Sequence, residues 1–221
     1  MNTVATNLEH IKCAIPPQVR LVAVSKFHRA ELINEAYIAG QQDFGESRPQ
    51  ELAQKIKALP KDIIWHFIGR LQTNKIKMVV PYAHLIHSID SVKLLQAVQN
   101  YCKKNNLTTN VLLQIHVAQE EAKSGFAPDE LLDFIKSGNL QTYGNINFRG
   151  LMAMASNTNN VEQVRSEFRM VKQLHEQAKP LFPTPPLFTE ISMGMSGDYL
   201  IAIEEGATLV RIGTAIFGNR Q

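Results

Sequence analysis

The feature that most restricts the fold of this chain is a two-part texture repeated from end to end. Short runs rich in Val, Ile and Leu alternate with longer polar segments whose apolar residues recur at helical spacing. The apolar runs RLVAVSK (20–26), QDFGES (42–47), IIWHFIG (63–69), AHLIHSID (83–90), NVLLQIHV (110–117), NFRGLMAM (147–154), LFTEISM (187–193) and TLVRIG (208–213) read as strands. Helices are expected over 29–40, 50–58, 73–80, 91–104, 128–137, 160–178 and 198–205. In the helix at 160–178, Val161, Val164, Phe168, Val171 and Leu174 form one stripe. Asp90-Ser91 is suited to cap the helix that follows it.

Strict alternation implies a parallel sheet. Strands covered on both faces read as continuous apolar runs, as these do. Eight such units point to an α/β fold: one (β/α)8 TIM-type barrel domain over residues 1–221. An open doubly wound sheet is the second choice, but its usual Gly-rich first turn is missing. The first strand leads instead into Lys26-Phe27-His28. The opening MNTVATNLEHIKCAI reads as an extra amphipathic N-terminal helix near residues 2–13, placed to cover the barrel bottom or to meet a neighbour. The segment PLFPTPP (180–186) reads as one loop into the seventh strand.

Charge and cysteine content exclude several function classes. Lys and Arg number 23 against 20 Asp and Glu, a net +3 without any basic block, so no nucleic-acid surface is expected. Cys13 and Cys102 belong to no paired motif, which argues against a disulfide framework or a structural zinc. Sparse cysteine fits a reducing compartment. Neither a signal peptide nor a window approaching the ~20 apolar residues of a membrane span is present, and a cytoplasmic protein is expected.

In such a barrel, chemistry gathers at the C-terminal ends of the strands. Lys26 ends the first. It either reaches out to solvent along its aliphatic stem, or is desolvated enough for its neutral amine to attack an aldehyde and form a Schiff base. ISMGMSGD (191–198) places small residues and serines between a strand and a helix. Such a turn is either an anion site or an ordinary connection capped by Ser196 or Asp198. In VRIGTAIFG (210–218), Gly213 and Thr214 offer amides and a hydroxyl. These two turns follow strands seven and eight, where barrels favour phosphate. Arg211 shares a strand face with Gly213; inside a barrel it requires partners, which a structural ion pair would also supply.

The histidines read more plainly. His84 and His87 fall on opposite strand faces and should not share a metal. His66 and His116 suit core or hydrogen-bonding roles, and Trp65 and Phe67 should face the helices. Lys75, Glu121 and Lys123 suit surface charges. A strand-one lysine, a phosphate pocket and an inward arginine would together satisfy a phosphorylated aldehyde. Pyridoxal 5'-phosphate is the obvious one, and a sugar phosphate bound by a Schiff-base aldolase is the rival.

AVSKFH (23–28), FGESRPQE (44–51), WHFIGRLQTNK (65–75), HSID (87–90), GLMAM (150–154) and ISMGMSGDYLIAIEEGATLVRIGTAIFG (191–218) carry a resemblance. Through them the chain resembles the pyridoxal phosphate homeostasis protein family, relatives of the barrel domain of alanine racemase. The resemblance implies that Lys26 holds the cofactor as a Schiff base and that Arg211 faces the pyridine nitrogen. It implies phosphate contacts from Ser192, Gly213 and Thr214, joined by Ser196, with Met193 and Met195 lining the turn. Ser47 stands where the family usually has an Asn near the cofactor, so that contact is lost or replaced by water. Pro49 replaces an aliphatic residue, His28 a second lysine and His116 an Asn, while Lys123 matches a family lysine.

The resemblance implies an intracellular role in pyridoxal phosphate homeostasis. The protein would be a monomeric, reversible carrier serving apoenzymes, without strong catalytic activity. The rival readings are a racemase-like enzyme acting on amino acids and, behind it, the aldolase. A guanidinium against the pyridine nitrogen disfavours protonation there, and a neutral pyridine is a poorer electron sink. A racemase also needs a second base and a further β-domain, for which a chain ending at Gln221 leaves no room.

Overall fold

The structure, a computed structural model, describes residues 3–117 and 124–218, so Glu121 and Lys123 lie outside the described residues. Its strands are β1 (Arg20–Val24), β2 (Asp43–Glu46), β3 (Ile64–Phe67), β4 (Leu85–Ile89), β5 (Thr109–Ile115), β6 (Ile146–Ala153), β7 (Glu190–Ser192) and β8 (Leu209–Ile212). The helices are α1 (Val4–Ala14), α2 (Ala30–Ile38), α3 (Pro49–Ala58), α4 (Ile76–Val79), α5 (Val92–Asn105), α6 (Pro128–Lys136), α7 (Val161–Ala178), α8 (Tyr199–Glu204) and α9 (Thr214–Phe217). The strands pair in sequence order, all parallel, and β8 closes on β1 with Arg20 beside Leu209 and Ala23 beside Ile212. The expected TIM-type (β/α)8 barrel is the fold.

Period-two alternation divides the apolar residues between two cores. Val22, Leu85, Leu112, Met152 and Leu209 form a small cluster in the barrel interior. The strand residues between them, Trp65 and Phe67 among them, join the larger core between sheet and helices. The same alternation turns His66, His87, Ser192 and Arg211 inward, where all four are buried.

Several elements depart from the sequence reading. The 73–80 segment is a 3-10 turn at Thr73–Lys75 followed by the short α4. The seventh strand begins only at Glu190, because Pro185–Leu187 form a 3-10 turn. Val161 opens α7 and is exposed, whereas Glu167, on the buried face, accepts hydrogen bonds from the Ser156 N–H and hydroxyl, each at 2.7 Å. The N-terminal helix is α1. It packs against α2 and α9, with the Asn7 amide donating to Ile216 O at 3.0 Å and Lys12 Nζ to Gly40 O at 2.9 Å. The physical reason is that α9 has only four residues and cannot cover the seam between β8 and β1, which α1 then fills. Ser91 caps α5 as expected, accepting from Leu94 N–H at 3.3 Å.

Candidate functional site

The closed strand order β7-β8-β1 brings three sequence-distant turns to one rim of the barrel. Lys26 lies just beyond β1, where Ser25 N–H still donates to Gly45 O at 3.0 Å. Val22 faces the interior and Ser25 faces α3, so alternation puts Lys26, which is half-buried, on the interior side. The next residue, Phe27, takes a left-handed backbone with φ 67°, unusual for a bulky side chain. Its N–H donates to Glu51 Oε2 at 2.9 Å, and the Arg48 guanidinium sits 4.2 Å from its ring centre. His28 stacks on Phe217, tying this turn to α9.

Behind Lys26 lies a charge cluster that the sequence reading missed. Glu46 is fully buried; its Oε1 accepts from Lys55 Nζ and from Ser25 Oγ, each at 2.6 Å. Lys55 also donates to Ser25 O at 2.9 Å and reaches Glu51 at 3.3 Å. Burial raises the Glu46 carboxyl above its ordinary value, and the charge of Lys55 only partly offsets that.

The next strand over holds Arg211, buried at 4 % exposure. Its Nη1 donates to Ser192 O at 2.7 Å and Ser192 Oγ at 2.6 Å, and its Nη2 to Ala153 O at 2.9 Å. Among the described residues the guanidinium is therefore held by neutral oxygens rather than by an ion pair. Burial lowers its pKa to about 10, with Asp198 acting in the opposite sense, so it stays charged near neutrality. The turn after β7 is clipped to β8 by Arg211 N–H donating to Gly194 O at 2.9 Å. Gly194 has φ 92°, and a Cβ there would lie 2.6 Å from the Ala202 methyl, so the turn requires glycine. Asp198 occupies the cap position of α8 but accepts from Met195 N–H at 2.5 Å, bracing the turn.

The predicted residues separate into three groups. Lys26, Ser196, Gly213 and Thr214 stand at the rim, half-buried or exposed. Gly213 caps α9, whose first N–H groups lack intrahelical acceptors. Ser192 and Arg211 lie beneath them, bonded to each other and, on their far sides, to His87 and to Ala153 O. Met193 points outward into the helix-side core, so only its backbone borders the turn. Ser47 sits on the β2 rim, its carbonyl so near Gly69 that a Cβ on Gly69 would fall 2.0 Å from it. His116 flanks β5 with its Nδ1 buried and unpartnered among the described residues. His66, read singly from the sequence, is joined to His87, read there beside His84: His66 Nδ1 lies 2.9 Å from His87 Nε2. No group of three or more His, Cys, Asp or Glu able to hold a metal occurs among the described residues.

Comparison with known proteins gives the family and agrees with the fold. The family model described as alanine racemase, N-terminal domain, matches residues 1–221. A pyridoxal phosphate homeostasis protein of Aquifex aeolicus is 39 % identical over 203 residues, covering 91 % of this chain and 87 % of that protein. The solved structure of PipY from Synechococcus elongatus without pyridoxal phosphate has a TM-score of 0.87 at 34 % identity, covering 98 % of this chain and all of that one. The structure of PipY with pyridoxal phosphate bound has a TM-score of 0.84 over the same shares. The chain belongs to the alanine racemase N-terminal-domain family, among its pyridoxal phosphate homeostasis proteins.

Proposed function

We propose that this protein binds pyridoxal 5'-phosphate through a Schiff base on Lys26 and serves in the homeostasis of that cofactor. The observation that carries the reading is that β8, which holds Arg211, pairs with β1, which leads into Lys26, with two serine- and glycine-bearing turns beside them. The donor set fits the group. An amine at the rim suits an aldehyde, a fixed buried guanidinium suits the ring nitrogen, and the turns carrying Ser192, Met193, Ser196, Gly213 and Thr214 suit a phosphate. Ser47 would border the ring side with a hydroxyl in place of a longer amide.

The cofactor supplies an electrophilic aldehyde and, in enzymes, an electron sink. Arg211 opposes the second of these, since a retained cation disfavours a proton on the facing nitrogen. Its bonds to Ser192 and Ala153 hold that charge in place. A reversible holder that passes cofactor to apoenzymes, acting as a monomer in the cytoplasm over residues 1–221, is the reading we prefer. No helix among the described residues is long and apolar enough to cross a membrane.

The test is an absorption spectrum of the protein with pyridoxal phosphate, followed by borohydride reduction and peptide mass spectrometry. A visible band and a reduced adduct on Lys26, both missing in Lys26→Ala, are expected. An adduct on another lysine, or none, would overturn the assignment. Exchange of an amino-acid α-hydrogen in deuterated water at catalytic rates would favour the racemase-like alternative.

A further inference from the structure

We propose that Asp43, His66, His87 and Ser192 are positioning residues: a one-way hydrogen-bond chain through the barrel that fixes the Arg211 guanidinium. The chain crosses the interior from β2 through β3 and β4 to β7. Its contacts are His66 Nε2 to Asp43 Oδ1, His66 Nδ1 to His87 Nε2, and His87 Nδ1 to Ser192 Oγ, each at 2.9 Å. Arg211 Nη1 then meets Ser192 Oγ at 2.6 Å.

One chemical fact determines every proton along it. A guanidinium donates and never accepts. Ser192 Oγ therefore accepts from Arg211, and its own hydrogen must go elsewhere. Ser192 has no exposed surface, and its other hydroxyl partner among the described residues is His87 Nδ1. Turning the hydroxyl away would leave a buried donor unmade, which is costly. His87 Nδ1 is thus an acceptor, so its proton is on Nε2 and donates to His66 Nδ1. His66 in turn carries its proton on Nε2 and donates it to the Asp43 carboxylate, which only accepts. Both rings are neutral, both are Nε2–H tautomers, and every donor points from the buried cation toward the carboxylate. Burial, together with the nearby Arg211 cation, depresses the His87 pKa well below its usual value, in keeping with a neutral ring.

The arrangement has a consequence for Arg211. Ser192 Oγ is one of two acceptors on Nη1 among the described residues, and its lone pair faces Arg211 only while His87 takes its hydrogen. Removing the acceptor at His87 frees the hydroxyl to rotate and loosens the guanidinium. The functional effect rests on the reading that Arg211 faces a bound pyridoxal phosphate.

The test has two arms. In the cofactor-free protein, ring 15N chemical shifts of His66 and His87 report the tautomers directly. Protonated Nε2 and unprotonated Nδ1 in both rings are expected near neutral pH, and an Nδ1–H tautomer or a charged ring in either would overturn the chain. In the second arm, His87→Leu should bind pyridoxal phosphate roughly tenfold more weakly than wild type. His87→Gln, which keeps one acceptor and one donor, should recover most of that loss, and thermal melts identify any variant that fails to fold. His87→Leu binding as tightly as wild type, or His87→Gln as weak as His87→Leu while folded, would overturn the positioning role. Should wild type itself fail to bind the cofactor, the functional reading fails, while the tautomers still decide the chain.

Discussion

Lys55 on α3 places its ammonium 2.6 Å from the buried carboxylate of Glu46 on β2, and the same ammonium holds the carbonyl of Ser25, the residue before Lys26, at 2.9 Å. The pair is therefore both a buried ion pair and a clamp on the backbone that carries Lys26. Lys55→Met should destabilise the protein by about 3–5 kcal/mol at pH 7, because it leaves a buried carboxylate without its cation. The penalty should shrink on acidification. A carboxyl whose folded pKa is raised, as burial raises that of Glu46, favours the folded state where it is protonated, and that contribution is lost as pH rises through the raised value. Urea unfolding of wild type and Lys55→Met at pH 7 and pH 5 reads the difference; an equal penalty at both would contradict it.

Two glycines should respond very differently to a methyl group. At Gly69 a Cβ would lie 2.0 Å from Ser47 O and 2.6 Å from Ser47 Cα, so backbone at the rim must move. At Gly138 nothing lies within 4 Å, and only the left-handed φ of 76° opposes a side chain. Gly138→Ala should cost about 1–2 kcal/mol, the usual strain of that conformation. Gly69→Ala should cost more than about 4 kcal/mol, or prevent folding. Parallel melting curves of the two variants decide it.

The barrel was legible because parallel strands buried on both faces leave apolar runs, and eight of them alternate with helical spacing. Strand ends were less so. The seventh run begins at Leu187, yet prolines at 185 and 186 hold that segment in a 3-10 turn and delay β7 to Glu190. Lys26 and Arg211 were visible as charges embedded in apolar strands. The chain from Arg211 to Asp43 was partly visible too. Leu85 and His87 share a face, and His66 alternates with outward Trp65 and Phe67, so period two alone turns both histidines inward. That they meet each other and Ser192 is a property of barrel closure, which no local spacing encodes. The Glu46–Lys55 contact lies within one strand-to-helix unit and depends on how α3 folds back against β2. Met193 illustrates the opposite error. The motif drew it into the site, whereas its parity with Ile191 places its side chain in the outer core.

His175 should give the protein a stability that falls in mild acid. It is buried on α7, stacked on Phe188 with ring centres 4.9 Å apart. Burial, reinforced by Lys172 and Lys179, lowers its pKa from 6.5 to about 4. In the unfolded chain the ring takes up a proton below its ordinary value, while the folded protein resists it. Stability is thus full above pH 6.5 and is lost as pH falls toward about 4, a change of about 3 kcal/mol from this group. His175→Phe keeps the stacked ring, removes a buried Nε2 without a partner among the described residues, and should flatten that slope by close to one proton. Urea midpoints measured across this pH range test it; an unchanged slope would assign the acid sensitivity elsewhere.

Arg211→Lys should show that the guanidinium acts by its shape as well as its charge. The native fork spans Ser192 and Ala153, with separate nitrogens serving the two strands. A lysine ammonium is a single point and cannot hold oxygens on β6 and β7 in the same plane. One buried carbonyl is then left without its donor, at a cost of about 1–3 kcal/mol. The charge survives, so if charge alone mattered the variant would bind pyridoxal phosphate like wild type. Loss of the fixed plane should instead weaken binding by roughly tenfold or more. Arg211→Met, lacking both charge and fork, should unfold most readily of the three proteins, because Ser192 and Ala153 both lose their partner. Urea denaturation of the cofactor-free proteins beside a fluorescence titration with pyridoxal phosphate separates the two effects. Equal stability and affinity in Arg211→Lys and wild type would mean that the fork contributes nothing beyond its positive charge.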